Sequence, residues 1–276
     1  MEWWQAIVLG LVEGITEYLP VSSTGHLILA ERLLGMPRSD AADAYAVCIQ
    51  GGAILAVVGL YFRRMVQMLR GLVGLDPDGR RLLGHLAVGV APAVVFGLLL
   101  ERHIKAVLFG LWPVAAAWLL GGVAILLVAR WMRTARPDAT AGTPLEAMTW
   151  KVALAVGLAQ CLALWPGTSR SLVTILAAVL LGLSLEAAVE LSFLLGVIVL
   201  SGAAGKDALA NGQVILSELG LGSALLGVAV AGLSAAAAVA FLVAYLRRHS
   251  LAAFGWYRIA RALLGMGRTL RGELAA

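Results

Sequence analysis

Five stretches of this chain carry no Asp, Glu, Lys or Arg at all: Ala44–Phe62, Leu82–Leu100, Ala106–Ala129, Leu191–Gly205 and Leu219–Leu246. Most of them approach or exceed the ~20 residues with which a helix crosses the hydrocarbon core of a bilayer. Composition agrees, since 61% of the residues are hydrophobic and only 13% charged, against roughly one-quarter charged in soluble domains. These features specify an all-α, polytopic membrane protein. The 276 residues contain no polar linker long enough to separate soluble modules, so a single integral membrane domain, 1–276, is expected.

The net charge of +5 does not point to nucleic acid, because the arginines cluster at the ends of apolar runs. Topology explains them better. Residues 63–81 hold five arginines against Asp76 and Asp78, and 130–151 holds Arg130, Arg133, Arg136 and Lys151 against Asp138 and Glu146. Both connections are expected on the cytoplasmic side by the positive-inside rule. The weakly charged 101–105 and 206–218 then lie outside, and Arg247-Arg248 returns the chain to the inside. Met1-Glu2 offers no basic n-region, so Trp3–Leu19 does not have the form of a cleaved signal peptide. Cys48 and Cys161 stand alone in apolar segments with no CxxC spacing, and are expected to be buried free thiols.

This orientation leaves residues 1–43 and 150–186 too short for the crossings they would otherwise need. Each is expected to be a re-entrant helical hairpin, tolerated where protein or a cavity satisfies its backbone. A weak internal repeat supports the pairing. Trp3 aligns with Trp150, Ala6 with Ala153, Gly10 with Gly157, Leu11 with Leu158 and Glu13 with Gln160; after one deletion Pro20 aligns with Pro166 and Ser23 with Ser169. Charge places the copies in opposite orientations, so the halves, approximately 1–129 and 148–276, form an inverted repeat with its functional site near the midplane. Leu251–Leu264, interrupted by Arg258 and Arg261, is expected to be a short sixth span anchored by Trp256 and Tyr257. Small residues at Gly227, Gly232 and 234–238 point to close helix packing, with a homodimer seam as a second reading.

Each hairpin carries a polar elbow. In the first, Glu13 and Glu17 share one helix face, four residues apart, and lead into Pro20-Val21-Ser22-Ser23-Thr24-Gly25-His26. Ionisable groups at membrane depth persist where they face a protein interior, a cation or water, and two like charges one turn apart call for a counter-cation. The second elbow, Trp165-Pro166-Gly167-Thr168-Ser169-Arg170-Ser171-Leu172-Val173-Thr174, offers hydroxyls, a helix N-terminus and one guanidinium that suit phosphate oxygens. Two carboxylates for a divalent metal, one Arg for phosphate, and His26 are the parts required to cleave a phosphoanhydride. His85, His103 and His249 fall at segment ends and suit solvated or snorkelling roles.

At these residues the chain resembles the undecaprenyl-diphosphate phosphatase family, the bacitracin-resistance type. The matching strings are Glu13 to His26, Gln160 to Gly167 with Ser169-Arg170-Ser171, Ser192-Phe193-Leu194-Leu195, and Ile49-Gln50 followed by Gly51 or Gly52. The resemblance implies hydrolysis of undecaprenyl diphosphate to undecaprenyl phosphate and inorganic phosphate, recycling the lipid carrier of cell-wall synthesis. It further implies a divalent cation, magnesium or calcium, and an active site in the bacterial cytoplasmic (inner) membrane that opens to the extracytoplasmic side. By the same resemblance Glu13 and Glu17 bind metal or assist proton transfer, and Arg170 holds the pyrophosphate. His26 and Ser23 compete as nucleophile or base, and Ser22, Thr24, Thr168, Ser169, Ser171 and Thr174 orient phosphate oxygens. The chain departs from the family pattern at Leu172-Val173, where Gly-Ala is usual, at Ile198, where Pro is common, and in its short C-terminal span. A carrier of polyprenyl phosphate is the rival function, since broken inverted repeats are also a transporter architecture. Transport needs no nucleophile, which favours the hydrolase.

Overall fold

In the computed structural model the described residues are 1–36, 39–108, 110–135, 142–214 and 220–270; the side chains of 40, 41, 43, 101–103, 105, 106, 208, 210–214 and 268–270 are not among them. Arg136, Asp138, Glu218 and the His103 side chain therefore lie outside the described residues. Eleven α-helices make up the described architecture: α1 Trp3–Glu17, α2 Ser23–Leu33, α3 Asp40–Leu60, α4 Phe62–Leu72, α5 Pro77–Leu108, α6 Leu111–Ala135, α7 Trp150–Gln160, α8 Arg170–Leu180, α9 Leu185–Val214, α10 Leu221–Leu246 and α11 Ala252–Leu270. Short 3-10 turns occupy Leu145–Ala147 and Cys161–Leu164. No strand occurs among the described residues; one isolated bridge pairs Thr143 with Leu183.

Local sequence explains where several helices begin. At α1 the Glu2 and Gln5 side chains satisfy each other's backbone N–H in a capping box. Ser39, Thr149 and Ser169 accept the first-turn N–H of Ala42, Val152 and Leu172 at the starts of α3, α7 and α8. Asp76 does the same for Gly79, with Pro77 at the first helical position of α5.

Four helices are long and apolar enough to cross a membrane, within Pro77–Leu100, Leu111–Ala135, Leu185–Asp207 and Leu221–Leu246, and a fifth is obtained if α3 and α4 count as one broken span. They contain most of each charge-free run. α11 is a continuous 19-residue helix, longer than the expected Leu251–Leu264 segment but not among the apolar spans. Arg258 does not interrupt it.

The chain divides into two compact units: Met1–Leu19, Ser23–Phe62 and Gly196–Leu242 form the first, and Pro20–Ser22, Arg63–Leu195 and Val243–Ala276 the second. In the first unit α1 packs on α2 and α3. Its core joins Ala6 and Leu9 with Leu27, Tyr45, Ile49 and Ala231. Gly10 lets α1 meet the α10 backbone, for a Cβ there would lie 2.7 Å from the Gly227 carbonyl oxygen. The small residues of α10 are thus used within this unit, Gly232 against Gly52 and Ser234 against Gly14.

In the second unit α11 packs on α6 and α5 on α7. Gly157 touches the Gly89 backbone so closely that a Cβ would sit 2.9 Å from the Gly89 carbonyl carbon. Arg64 bridges Glu146 and Glu190, the latter at 2.6 Å, and Arg247 reaches Glu186 at 3.9 Å. Four connections therefore meet at one end of this unit, among them both that the arginine distribution places together. Thr143 donates to Gly182 and accepts from Ser184, closing 150–180 into a hairpin with both mouths at that end.

Cys48 and Cys161 are free thiols, as expected, but each is only partly buried. Each lies on a helix that also turns a face outward, as exposed Leu55 on α3 and Leu162 beside Cys161 indicate.

Candidate active site

The two hairpins match with a constant offset. Each boundary of the second lies 147 residues after its counterpart in the first: 3 and 150, 17 and 164, 23 and 170, 33 and 180. Among the described residues only two non-glycine residues have positive φ, Ser22 at 74° and Ser169 at 75°, and they too are 147 apart. The one-residue deletion inferred from the two prolines is therefore corrected. Ser22, not Ser23, is the counterpart of Ser169; Ser23 corresponds to Arg170, and Pro20 to Gly167. A left-handed serine costs on the order of 1–3 kcal/mol and persists where its surroundings over-determine it. Both elbows share that strain immediately before a helix starts.

In the first unit the acidic elbow is buried. Glu13 is 0% exposed and Glu17 8%, on one face of α1. Ser23, the first residue of α2, donates its hydroxyl to Glu17 Oε2 at 2.5 Å. A buried hydrogen bond to a carboxylate is among the stronger neutral-to-ion contacts and polarises the hydroxyl toward alkoxide. His26 is buried one turn along α2, on the face that carries Ser23, while Thr24 is partly exposed.

In the second unit Ser22 and Ser169 are buried, Thr168 is partly exposed, and Ser171 and Thr174 are 0% exposed. Ser169 caps α8 and lies 3.0 Å, oxygen to oxygen, from the Ser171 hydroxyl. Arg170 is partly exposed and donates through Nη1 to the Ser192 carbonyl at 2.7 Å. Thr174 donates to the Arg170 carbonyl at 2.8 Å and pairs with the Ser192 hydroxyl at 2.7 Å. Ser192 and Thr174 thus brace Arg170, while Ser171 pairs with the Ser169 cap. Leu172 and Val173, the departures from the family pattern, are buried in a continuous α8. The Leu172 amide still donates to the Ser169 cap.

The family of the bacitracin resistance protein BacA matches residues 6–264 of this chain. The chain belongs to the BacA family. Similar proteins include one of Sorangium cellulosum, 47% identical over 96% of this chain and 85% of its own. Others come from Rhodospirillum rubrum, 42% identical over 97% and 95% of the two chains, and Methylococcus capsulatus, 42% identical over 99% and 97%. The Sorangium and Methylococcus proteins are named undecaprenyl-diphosphatase and the Rhodospirillum protein undecaprenyl-diphosphatase 2.

Three residues outside the sequence-predicted set join these elbows. Ser192 anchors Arg170 and Thr174; the string Ser192 to Leu195 matches the family, but a lone serine in an apolar helix carries no visible role. Gln160, the counterpart of Glu13, is 2% exposed, and neither its oxygen nor its nitrogen has a hydrogen-bond partner among the described residues. The Glu13–Gln160 alignment could have marked it. Arg258 is 0% exposed and donates to the carbonyls of Pro20, Ala117, Trp118 and Gly167. Backbone acceptors leave no trace in a sequence.

No group of three or more His, Cys, Asp or Glu side chains among the described residues is arranged to hold a metal ion. Two carboxylates on one buried face still suit magnesium, which commonly takes one or two protein carboxylates and completes its octahedron with water and phosphate oxygens.

Proposed function

We propose that this chain hydrolyses undecaprenyl diphosphate to undecaprenyl phosphate and inorganic phosphate, and thereby confers the bacitracin resistance after which its family is described. The observation that carries the reading is the buried Ser23–Glu17 hydrogen bond at 2.5 Å, in a chain whose relatives bear the diphosphatase name over nearly their whole length. Ser23 Oγ attacks the terminal phosphorus; the Oγ–P bond forms, the bridging P–O bond breaks, and undecaprenyl phosphate departs. The hydroxyl proton passes to Glu17 Oε2. Water then attacks the serine phosphate, giving its proton to His26; the Ser23 Oγ–P bond breaks, Glu17 returns the hydroxyl proton to Ser23 Oγ, and inorganic phosphate is released.

Glu13 and Glu17 would hold a divalent cation, magnesium or calcium, which neutralises charge on the phosphate oxygens when bound. Arg170, braced by Ser192 and Thr174, grips the pyrophosphate with a planar fork that Lys cannot imitate. Ser22, Thr24, Thr168 and Ser169 supply further donors. The site opens to the extracytoplasmic side of the bacterial inner membrane, opposite the arginine-rich connections.

Purified protein in detergent should release phosphate from a polyprenyl diphosphate only with a divalent ion present. Arg170→Ala and Glu17→Gln should each lower that release by ~100-fold, the scale of one main electrostatic contributor. Rapid quench with labelled substrate should place phosphate on Ser23. Full activity in both variants would overturn the site; label on His26, or none anywhere, would overturn Ser23 as nucleophile.

A further inference from the structure

We infer that Arg258 is a positioning residue that holds both elbows in register through their equivalent carbonyls. Its Nη1 donates to the Pro20 carbonyl at 3.3 Å and its Nη2 to the Gly167 carbonyl at 2.8 Å. Those acceptors are 147 residues apart, so one guanidinium grips the same point of the repeat twice. Nη2 also donates to Ala117 at 2.9 Å and Nε to Trp118 at 3.4 Å, tying the grip to α6.

Three observations separate this arrangement from an ordinary buried arginine. Arg258 is 0% exposed, and no carboxylate among the described residues pairs with it, so carbonyl oxygens alone offset its desolvation. α6 also leaves a slot for it, because a Cβ on Gly121 would lie 2.8 Å from the guanidinium carbon. Finally, each gripped carbonyl lies two residues before a left-handed serine, Ser22 or Ser169, and three before a helix start, Ser23 or Arg170. The grip therefore sets where α2 and α8 begin, and with them the bearing of the Ser23 hydroxyl and the Arg170 fork. A planar fork spans two carbonyls in different turns; the ammonium of Lys, on a flexible stem, does not reproduce that geometry.

The catalytic part of this inference rests on the proposed hydrolase reading, whereas the structural part does not. The test is hydrogen exchange by mass spectrometry on the full chain in detergent, read beside phosphate release from a polyprenyl diphosphate. Arg258→Met should raise exchange at amides 21–24 and 168–171 together by about tenfold or more, leaving the α5 and α7 amides unchanged. The turnover number should fall by ~100-fold with a smaller change in KM. Arg258→Lys should not restore either reading. Gly121→Ala, which displaces the guanidinium without altering Arg258, should loosen the same two elbows and serves if Arg258→Met does not fold. Exchange raised at one elbow only, at neither, or across the whole chain would overturn the inference, as would full rescue by Lys. Loosening of both elbows in a protein whose parent releases no phosphate would uphold the grip and refute the hydrolase.

Discussion

If the Ser23–Glu17 hydrogen bond is the acting unit of the hydrolase, the two residues must fail together. Both are buried, and their 2.5 Å contact has the geometry of a nucleophile beside its base. General-base assistance contributes ~10²–10⁴-fold, or about 2.7–5.5 kcal/mol of barrier. Ser23→Ala removes the attacking oxygen and Glu17→Gln the proton acceptor. Each alone should cost at least ~100-fold in turnover. The double variant should be no slower than the worse single one, because residues that act as a unit are strongly non-additive. Independent roles would instead multiply the losses, to ~10⁴-fold or beyond. Initial rates of phosphate release at saturating substrate and fixed metal, for all four proteins, decide between these. Additive losses, or a Ser23→Ala protein within tenfold of the parent, would refute the reasoning.

Gln160→Leu removes a buried amide that has no hydrogen-bond partner among the described residues, so thermal stability in detergent should hold or rise, by up to about 1 kcal/mol, while phosphate release falls; a loss of stability with full activity would show the amide to be structural. Gly157→Ala drives a methyl into the Gly89 backbone and should cost about 1–3 kcal/mol or more, whereas Gly51→Ala, which meets open space, should gain up to about 1 kcal/mol from helix propensity; paired melting curves check both. The Arg64 hydrogen bond holds the Glu146 carboxyl below its ordinary value of 4.5. That contribution is therefore present above about pH 4.5 and is lost as pH falls through the depressed folded value. Glu146→Gln should lower the melting temperature more at pH 7 than at pH 3.

The apolar runs foretold the long helices because a charge-free stretch of that length has few alternatives in lipid, and the acidic elbow was visible because carboxylates are rare there. Both hairpins were legible from Trp3 and Trp150. Their register was not, since Pro20 and Pro166 are a false pair: the shared element is a left-handed turn, which a serine adopts without announcing it. Arg258 reads in sequence only as a break, with Arg261, in an apolar segment, because its partners are main-chain oxygens common to every residue. Gln160 lay in plain sight opposite Glu13, but an amide shows its unmet hydrogen bonds only once its neighbours are known.

The grip of Arg258 also orders events during biosynthesis. Pro20 leaves the ribosome 238 residues ahead of the side chain that will hold it, and Gly167 leaves 91 ahead. Until the last helix is made and docked on α6, neither turn has its donor, so a nascent chain truncated before residue 258 carries every acidic and hydroxyl group of the elbows without the part that fixes them.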